Sequence, residues 1–168
     1  CSSDLYSISA PIIDSGQIIG RQEKIHPFDY EKRLVTSGTK AQVFKTKARF
    51  GVIICYDMVF SDVAETMAKK GAEVLFSPSR IIRRGIEPWH IYVQARSLEN
   101  RIPVLAANVH DGRFGGKSTI VDLEDKNGIM MPKMFKLSDG QSAKITSFCL
   151  EKYKKSRIQR YKDKKRFS

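Results

Sequence analysis

A cysteine stands where an apolar run of the chain gives way to polar residues. Residues 50–54 read Phe-Gly-Val-Ile-Ile, and Cys55 is followed by Tyr56 and Asp57. A β-branched run of this kind predicts a buried strand, and α/β folds place reactive side chains where strands open into loops. A thiolate is a strong nucleophile, so Cys55 is a candidate for attack on an electrophilic carbon. Its position alone also fits an inert buried cysteine, because free cysteine often behaves as a small hydrophobe.

Further motifs accompany this cysteine in a fixed order along the chain. They are Lys24-Ile25-His26-Pro27-Phe28-Asp29-Tyr30-Glu31 upstream, and Gly71-Ala72, Ser77-Pro78-Ser79, Trp89, Arg96-Ser97-Leu98-Glu99-Asn100, Asn108 and Gly116-Lys117-Ser118 downstream. In this order and at these separations, the set resembles the nitrilase superfamily of carbon–nitrogen hydrolases, with Ser97 where that family usually has alanine. The sequence Cys55-Tyr56-Asp57 resembles the amidase and carbamoylase branches of this superfamily more than it resembles true nitrilases. The resemblance runs from about residue 5 to residue 122, and it is carried by the ordered series, since no single motif is specific.

The resemblance implies a Glu-Lys-Cys catalytic triad. Cys55 would be the nucleophile, Lys24 would hold the oxyanion and favour the thiolate, and the backbone N–H of Tyr56 would be a second oxyanion donor. Glu31 matches a second glutamate of the family, which would position Lys24 and the substrate. The only glutamate before Lys24 is its neighbour Glu23, so we expect the triad glutamate and the amino-terminal part of the fold to be missing. Without the motif series, Lys24 and Glu31 also fit solvated surface charges.

Two further side chains are candidate substrate contacts. Arg80, with Arg83 and Arg84, follows a predicted strand, and an arginine at such a position would grip a substrate carboxylate bidentately. The resemblance also implies that Trp89 lies near the pocket. The alternatives are solvent-facing arginines and a core tryptophan.

The remaining polar motif residues are expected to support the site rather than react. Asp57 is expected to cap or orient the loop after the cysteine. Arg96, Glu99 and Asn100 lie on one predicted helix and are interpreted as structural support beneath the site. His26 leaves a Cys–His dyad open as an alternative.

The order of predicted elements is that of an α/β protein. We expect strands over 5–13, 17–20, 73–76, 103–107, 118–122 and 144–150, a hairpin over 42–46 and 49–55, and helices over 61–70 and 89–100. Residues 77–79 are expected to stop the strand over 73–76, and residues 83–85 are expected to form a flexible loop. In the helix over 61–70, Ser61 or Asp62 is a candidate N-cap and Gly71 is predicted to follow the last turn as a C′ residue. The apolar residues at helical spacing in this helix are Val63, Ala64, Met67 and Ala68. The resemblance implies an α-β-β-α sandwich whose first part is absent here, with a partial hydrolase domain over 1–150 and a basic C-terminal tail over 151–168.

Charge and cysteine usage narrow the function classes. The chain has 168 residues and a net charge of +12, of which residues 152–168 carry +8 from nine basic residues and one aspartate. A charged terminus is most often solvated, so nucleic-acid binding is not expected although it stays an alternative. No apolar run is long enough to span a bilayer. The scattered cysteines, 1, 55 and 149, suggest no metal site and fit a reducing, cytoplasmic setting.

These observations together predict a carbon–nitrogen hydrolase. It would cleave a linear amide or carbamoyl C–N bond of a small molecule through a cysteine thioester, with release of ammonia and without a metal or organic cofactor. The resemblance also implies a homo-oligomer. The alternative is a catalytically inactive, truncated remnant that acts as a scaffold or a partner-binding subunit.

Overall fold

The computed structural model describes residues 6–138 and 143–165. Within these ranges the strands are β1 (Ser9–Asp14), β2 (Gln17–Glu23), β3 (Val43–Lys45), β4 (Arg49–Val52), β5 (Val74–Ser79), β6 (Val104–Asn108), β7 (His110–Asp111), β8 (Phe114–Gly115), β9 (Thr119–Lys126) and β10 (Ile129–Lys136). The α-helices are α1 (Ser61–Lys69), α2 (Ile86–Asn100) and α3 (Glu151–Asp163). Short 3₁₀ helices cover Asp29–Arg33, Cys55–Val59 and Arg83–Gly85.

A six-stranded mixed sheet forms the centre of the fold, in the order β10-β9-β6-β5-β4-β3. Strands β4, β5 and β6 are parallel to one another, whereas β3, β9 and β10 each run antiparallel to their neighbour. Helices α1 and α2 connect β4 to β5 and β5 to β6, which is the crossover that parallel strands require. The predicted α/β class is confirmed, as is the hairpin formed by β3 and β4.

Helix α1 packs against this sheet through the side chains that its sequence pattern predicted. Val63, Ala64, Met67 and Ala68 are all buried. A Cβ added at Gly51 of β4 would lie 2.5 Å from the Met67 sulfur, so the glycine permits this close approach.

For helix α1, the structure confirms the predicted C-terminal end but not the predicted N-cap. Gly71 follows the C-cap with φ of +91°, the left-handed conformation predicted for it. The predicted N-cap is wrong, since Phe60 precedes the helix and the Asp62 carboxylate accepts a hydrogen bond from the adjacent Val63 N–H.

Strand β5 continues through a proline, contrary to the predicted stop at residues 77–79. The Phe76 carbonyl accepts a hydrogen bond from Ile53 N–H on the β4 side, and Pro78 faces the same side because strand residues alternate. Strand β4 ends at Val52, so no neighbouring strand needs an N–H from Pro78. The other side of β5 keeps its pairing with β6 as far as Ser79 and Asn108.

Three other element predictions need correction. The predicted strand over 144–150 is wrong, because residues 143–149 have no regular structure and Ile145 is 98% exposed. Strand β9 lies between β6 and β10, and it is joined to β10 through Asn127 and Gly128, both at positive φ. Residues 83–85 form a 3₁₀ helix rather than a flexible loop. Helix α2 begins at Ile86, three residues earlier than predicted. It accommodates Pro88 because the proline lies in the first turn, where no N–H is required.

The basic tail is a helix that packs on the domain, so the solvated terminus expected for it is wrong over residues 151–163. Tyr153 and Arg157 on α3 are buried, and Tyr161 packs against the main core. The Arg157 guanidinium donates to the carbonyl of Arg101 through Nε and Nη2 and to that of Ala72 through Nη1. These carbonyls lie just after the C-terminal ends of α2 and α1, where carbonyls have no donor within the helix. Helix α3 therefore supplies hydrogen-bond donors at the ends of both helices.

Replacing Arg157 with alanine is expected to destabilise the fold by about 2–4 kcal/mol, because it removes charged hydrogen bonds to two carbonyls. Urea unfolding followed by circular dichroism measures this change. Lys155→Ala, at an exposed position on the same helix, is the matched control and should change the unfolding free energy by less than about 0.5 kcal/mol. Equal effects of the two substitutions would contradict the role assigned to Arg157.

Candidate active site

Cys55 lies at a sharp turn between the sheet and a 3₁₀ helix. Strand β4 ends at Val52, Ile53 and Ile54 are buried, and Cys55 begins the helix with φ of +50°. A left-handed conformation costs a non-glycine residue on the order of 1 kcal/mol or more, and such strain concentrates at functional sites. Cys55 is partly buried against a small apolar cluster of Ile12, Val52 and Ile54. We call residues 55–59 the elbow.

Lys24 lies directly after β2 and is buried, with 3% of its side chain exposed. Its ammonium Nζ lies 2.5 Å from Glu31 Oε2. The same carboxylate oxygen accepts a hydrogen bond from Phe28 N–H at 2.6 Å, so Glu31 is held at the start of its own 3₁₀ helix. A buried lysine needs such a partner, and the interpretation of Lys24 as a solvated surface charge is therefore wrong.

Asp57 connects the elbow to the segment that carries Lys24. Its carboxylate is buried and accepts hydrogen bonds from Ile25 N–H at 3.1 Å and from His26 N–H at 2.6 Å. The His26 ring nitrogen Nδ1 lies 3.0 Å from the same carboxylate. Burial raises the pKa of Asp57, and its hydrogen bonds with His26 and Ile25 oppose that rise in part. The predicted orienting role of Asp57 matches these contacts.

Aromatic side chains pack between the elbow and the Lys24 segment. The Tyr56 ring contacts Phe28 at a centroid distance of 4.9 Å and Phe60 at 5.3 Å, both edge to face. The His26 ring stacks on Phe60 at 3.8 Å. His26 thus pairs with Asp57 and Phe60, and these contacts lend no support to the Cys–His dyad. Phe28 belongs to the motif that begins at Lys24 and Phe60 directly follows the elbow, but nothing in the sequence marks either aromatic ring as part of the site.

Arg96 supports the elbow from helix α2. Its guanidinium donates to the carbonyls of Met58 at 3.1 Å and Val59 at 3.0 Å, and to Glu99 Oε2 at 2.5 Å. Asn100 in turn donates from Nδ2 to the Arg96 carbonyl at 2.9 Å. These contacts confirm the prediction that Arg96, Glu99 and Asn100 support the site, and they show that the support acts on the last carbonyls of the elbow.

Asn108 fixes the loop that follows β5, a role that the sequence analysis left unassigned. Its Nδ2 donates to the carbonyls of Ile81 at 3.2 Å and Gly116 at 2.8 Å, and its Oδ1 accepts from Ile81 N–H at 2.6 Å. Its backbone N–H donates to Ser118 Oγ at 2.9 Å. A single side chain thereby joins the loops after β5 and β8, and these are sequence-distant contacts that no local pattern reveals.

The two candidate substrate contacts lie in different environments. Arg80 is exposed, and its guanidinium carbon lies 4.5 Å from the centroid of the Phe114 ring. Trp89 is buried in the main core and stacks on His90 at 5.3 Å. Both environments match the alternatives given for these residues, so their roles toward a substrate stay predictions. In residues 6–138 and 143–165, no group of three His, Cys, Asp or Glu side chains could hold a metal ion.

The sequence of this chain is similar to those of known carbon–nitrogen hydrolases. The sequence model of the carbon–nitrogen hydrolase family matches residues 2–127. The chain is 32% identical over 108 residues to a probable nitrilase of Schizosaccharomyces pombe, covering 64% of this chain and 40% of that protein. It is 30% identical over 138 residues to the omega-amidase NIT3 of Saccharomyces cerevisiae, covering 73% and 47%. It is 32% identical over 127 residues to the deaminated glutathione amidase of Yersinia enterocolitica, covering 68% and 44%.

Solved structures share the fold. A carbon–nitrogen hydrolase from Helicobacter pylori matches with a TM-score of 0.74 and 22% identity, over 95% of this chain and 63% of that one. Nit3 of Saccharomyces cerevisiae, described as a member of branch 10 of the nitrilase superfamily, matches with a TM-score of 0.59 and 28% identity, over 72% and 49%. The chain spans a little less than half the length of the curated relatives named above. The family match covers most of its residues, and this chain belongs to the carbon–nitrogen hydrolase family, within the nitrilase superfamily.

Proposed function

We propose that this chain hydrolyses a C–N bond in a linear amide or carbamoyl compound, with Cys55 as the nucleophile. The observation that carries the proposal is the elbow itself. A cysteine in a left-handed conformation begins a 3₁₀ helix that is bonded, through Asp57, to the residues directly after the buried Lys24. Strain at a cysteine, on a segment hydrogen-bonded to the one that carries a buried, paired lysine, is what we expect of a nucleophile and its positive partner.

The proposed reaction has two steps, in which every atom is accounted for. The Cys55 sulfur attacks the amide or carbamoyl carbon, the C–N bond breaks, and the nitrogen leaves as ammonia after taking the proton that the thiol gave up, which leaves an acyl thioester. Water then attacks the thioester carbon, and the thiol is regenerated. The other product is a carboxylic acid from an amide, or from a carbamoyl compound a carbamic acid that decomposes to carbon dioxide and an amine. Lys24 and the Tyr56 backbone N–H are proposed to stabilise the negative oxygen in both steps. Glu31 is proposed to hold Lys24 in place and to shuttle protons.

The names of the relatives favour amides over nitriles as substrates. Two of the proteins described above are named an omega-amidase and a deaminated glutathione amidase. We extend this by proposing a small-molecule amide substrate, a homo-oligomeric assembly and a cytoplasmic location for this chain. Arg80 is proposed to meet a carboxylate on the substrate, and Trp89 to lie near the pocket. Among the described residues, no helix is long and apolar enough to cross a membrane.

Ammonia release from a panel of linear amides, carbamoyl compounds and aliphatic nitriles tests the proposal. The expected result is ammonia release from an amide, with one carboxylic acid formed per ammonia, or from a carbamoyl compound, with one carbon dioxide and one amine formed per ammonia. Release from nitriles should be slower or absent. Members of the panel with and without a distal carboxylate test the assignment of Arg80. Absence of release from every compound would contradict the proposal and favour the alternative of an inactive scaffold or partner-binding subunit.

A further inference from the structure

We infer that Asp57 is a positioning residue, whose carboxylate sets the separation between the Cys55 thiol and the Lys24 ammonium. The inference rests on the proposed function, because it assigns these two groups to one site. Asp57 itself is not assigned contact with a substrate. It acts through the two segments that it joins, the elbow and the chain that leaves β2.

The bonding pattern joins the two segments through Asp57. Along the chain, Asp57 lies two residues after Cys55, and it accepts hydrogen bonds from the two residues that directly follow Lys24. Consecutive Cα atoms are about 3.8 Å apart, so each reactive residue is separated from the carboxylate by a very short length of chain. A change in these bonds therefore moves one reactive group relative to the other.

The two oxygens of a carboxylate offer enough acceptor sites for all the groups that converge here. Two backbone N–H groups and the His26 ring nitrogen meet the two carboxylate oxygens, and 1% of Asp57 is exposed. An asparagine of the same shape has one acceptor oxygen and an NH₂ group, which would face a donor. Hydrogen bonds to a charged acceptor are roughly twice as strong as neutral ones, so the carboxylate holds the backbone firmly.

The other contacts between the two segments are less directional. The Phe28, Tyr56, Phe60 and His26 rings pack together, and such packing tolerates small shifts more readily than hydrogen bonds of fixed geometry. Arg96 holds the far end of the elbow, and within residues 6–138 and 143–165 its guanidinium donates to Met58, Val59 and Glu99 rather than to the Lys24 segment. Of these contacts, the Asp57 carboxylate is thus the one that fixes the backbones of the two segments by direct hydrogen bonds.

The test is the rate at which iodoacetamide alkylates Cys55, measured by peptide mass spectrometry as a function of pH. In Asp57→Asn, the pH of half-maximal alkylation should rise, because the substitution releases the segment that holds the Lys24 ammonium toward the thiol in the proposed site. The exposed Cys149 in the same molecule is an internal control and should keep its profile. Asp62→Asn removes an equal charge at an exposed position near the elbow and should leave the Cys55 profile unchanged.

A double-mutant cycle separates positioning from a general loss of structure. If Asp57 acts through Lys24, then Asp57→Asn should cause no further rise in a Lys24→Met background. An equal rise in both backgrounds, or no rise in the wild-type background, would overturn the inference. Should Asp57→Asn fail to fold, Asp57→Glu keeps the charge and moves the carboxylate by one methylene. It should raise the same midpoint, and an unchanged midpoint would overturn the inference.

This readout is independent of amide turnover. Alkylation needs the thiolate but no amide substrate, so the profile can be measured even if ammonia release is absent. A chain without turnover that still shows the coupled shift would contradict the proposed function and retain the positioning role. A chain that releases ammonia but shows no shift in Asp57→Asn would support the proposed function and overturn the positioning role.

Discussion

Replacing Cys55 with alanine is expected to abolish ammonia release, with a loss of at least about 10⁴-fold for a nucleophile that forms a covalent intermediate. Alanine removes only the sulfur, and the pocket of Ile12, Val52 and Ile54 around the side chain remains. The binding of substrate should change little, so the loss should appear in kcat rather than KM. Initial rates of ammonia release from the best amide in the panel measure this effect.

The matched control for this substitution is Cys149→Ala. Cys149 is exposed and lies in the irregular segment before α3, so its removal should leave the rate within about twofold of wild type. Residual release from Cys55→Ala at more than a hundredth of the wild-type rate would show that another group carries the chemistry.

Replacing Lys24 with methionine is expected to lower kcat by roughly 10²–10³-fold, the range seen when one group that stabilises an oxyanion is removed. Methionine keeps most of the length of the side chain and fills the buried space, but it lacks the charge. Glu31 keeps its hydrogen bond from Phe28 N–H, so one of its contacts survives the substitution. Steady-state kinetics with the same amide separate kcat from KM, and circular dichroism reports whether the fold is retained.

Lys32→Met is the control for this second prediction. Lys32 lies in the same 3₁₀ helix as Glu31 but is exposed, so its charge is screened by solvent and should matter little. A similar loss in both variants would mean that the general field of the basic chain, and not the buried ammonium, supports the reaction. An unchanged kcat in Lys24→Met would remove Lys24 from the mechanism.

The sequence predicted those elements whose periodicity is local. The buried face of α1 and the left-handed Gly71 follow from the spacing of apolar residues and from the steric freedom of glycine. The continuation of β5 through Pro78 could not be read locally, because it depends on where the neighbouring strand β4 ends. Strand β10 was missed because Pro132 and its lysines are typical of an edge strand, which is what it forms.

The same limit holds for the candidate site, where residue types could be predicted from the sequence but contacts between distant segments could not. Cys55, Lys24 and Glu31 were found as residue types in an ordered series, and the structure shows Lys24 and Glu31 paired. The link from Asp57 to the backbone of Ile25 and His26 spans more than 30 residues. Since a backbone N–H belongs to almost every residue, no sequence pattern marks its partner. The packing of α3 was visible in principle, because Tyr153, Arg157 and Tyr161 recur every four residues along one face.

The most direct test of Cys55 as the nucleophile is to trap the acyl thioester on this chain. The protein is mixed with the best amide, quenched in acid within the first turnover, digested and analysed by peptide mass spectrometry. If Cys55 is the nucleophile, the peptide containing Cys55 gains the mass of the acyl group, hydroxylamine removes it, and Cys55→Ala does not acquire it. Ammonia release without any acylated Cys55 peptide, or an acyl group carried by Cys149 instead, would contradict that role.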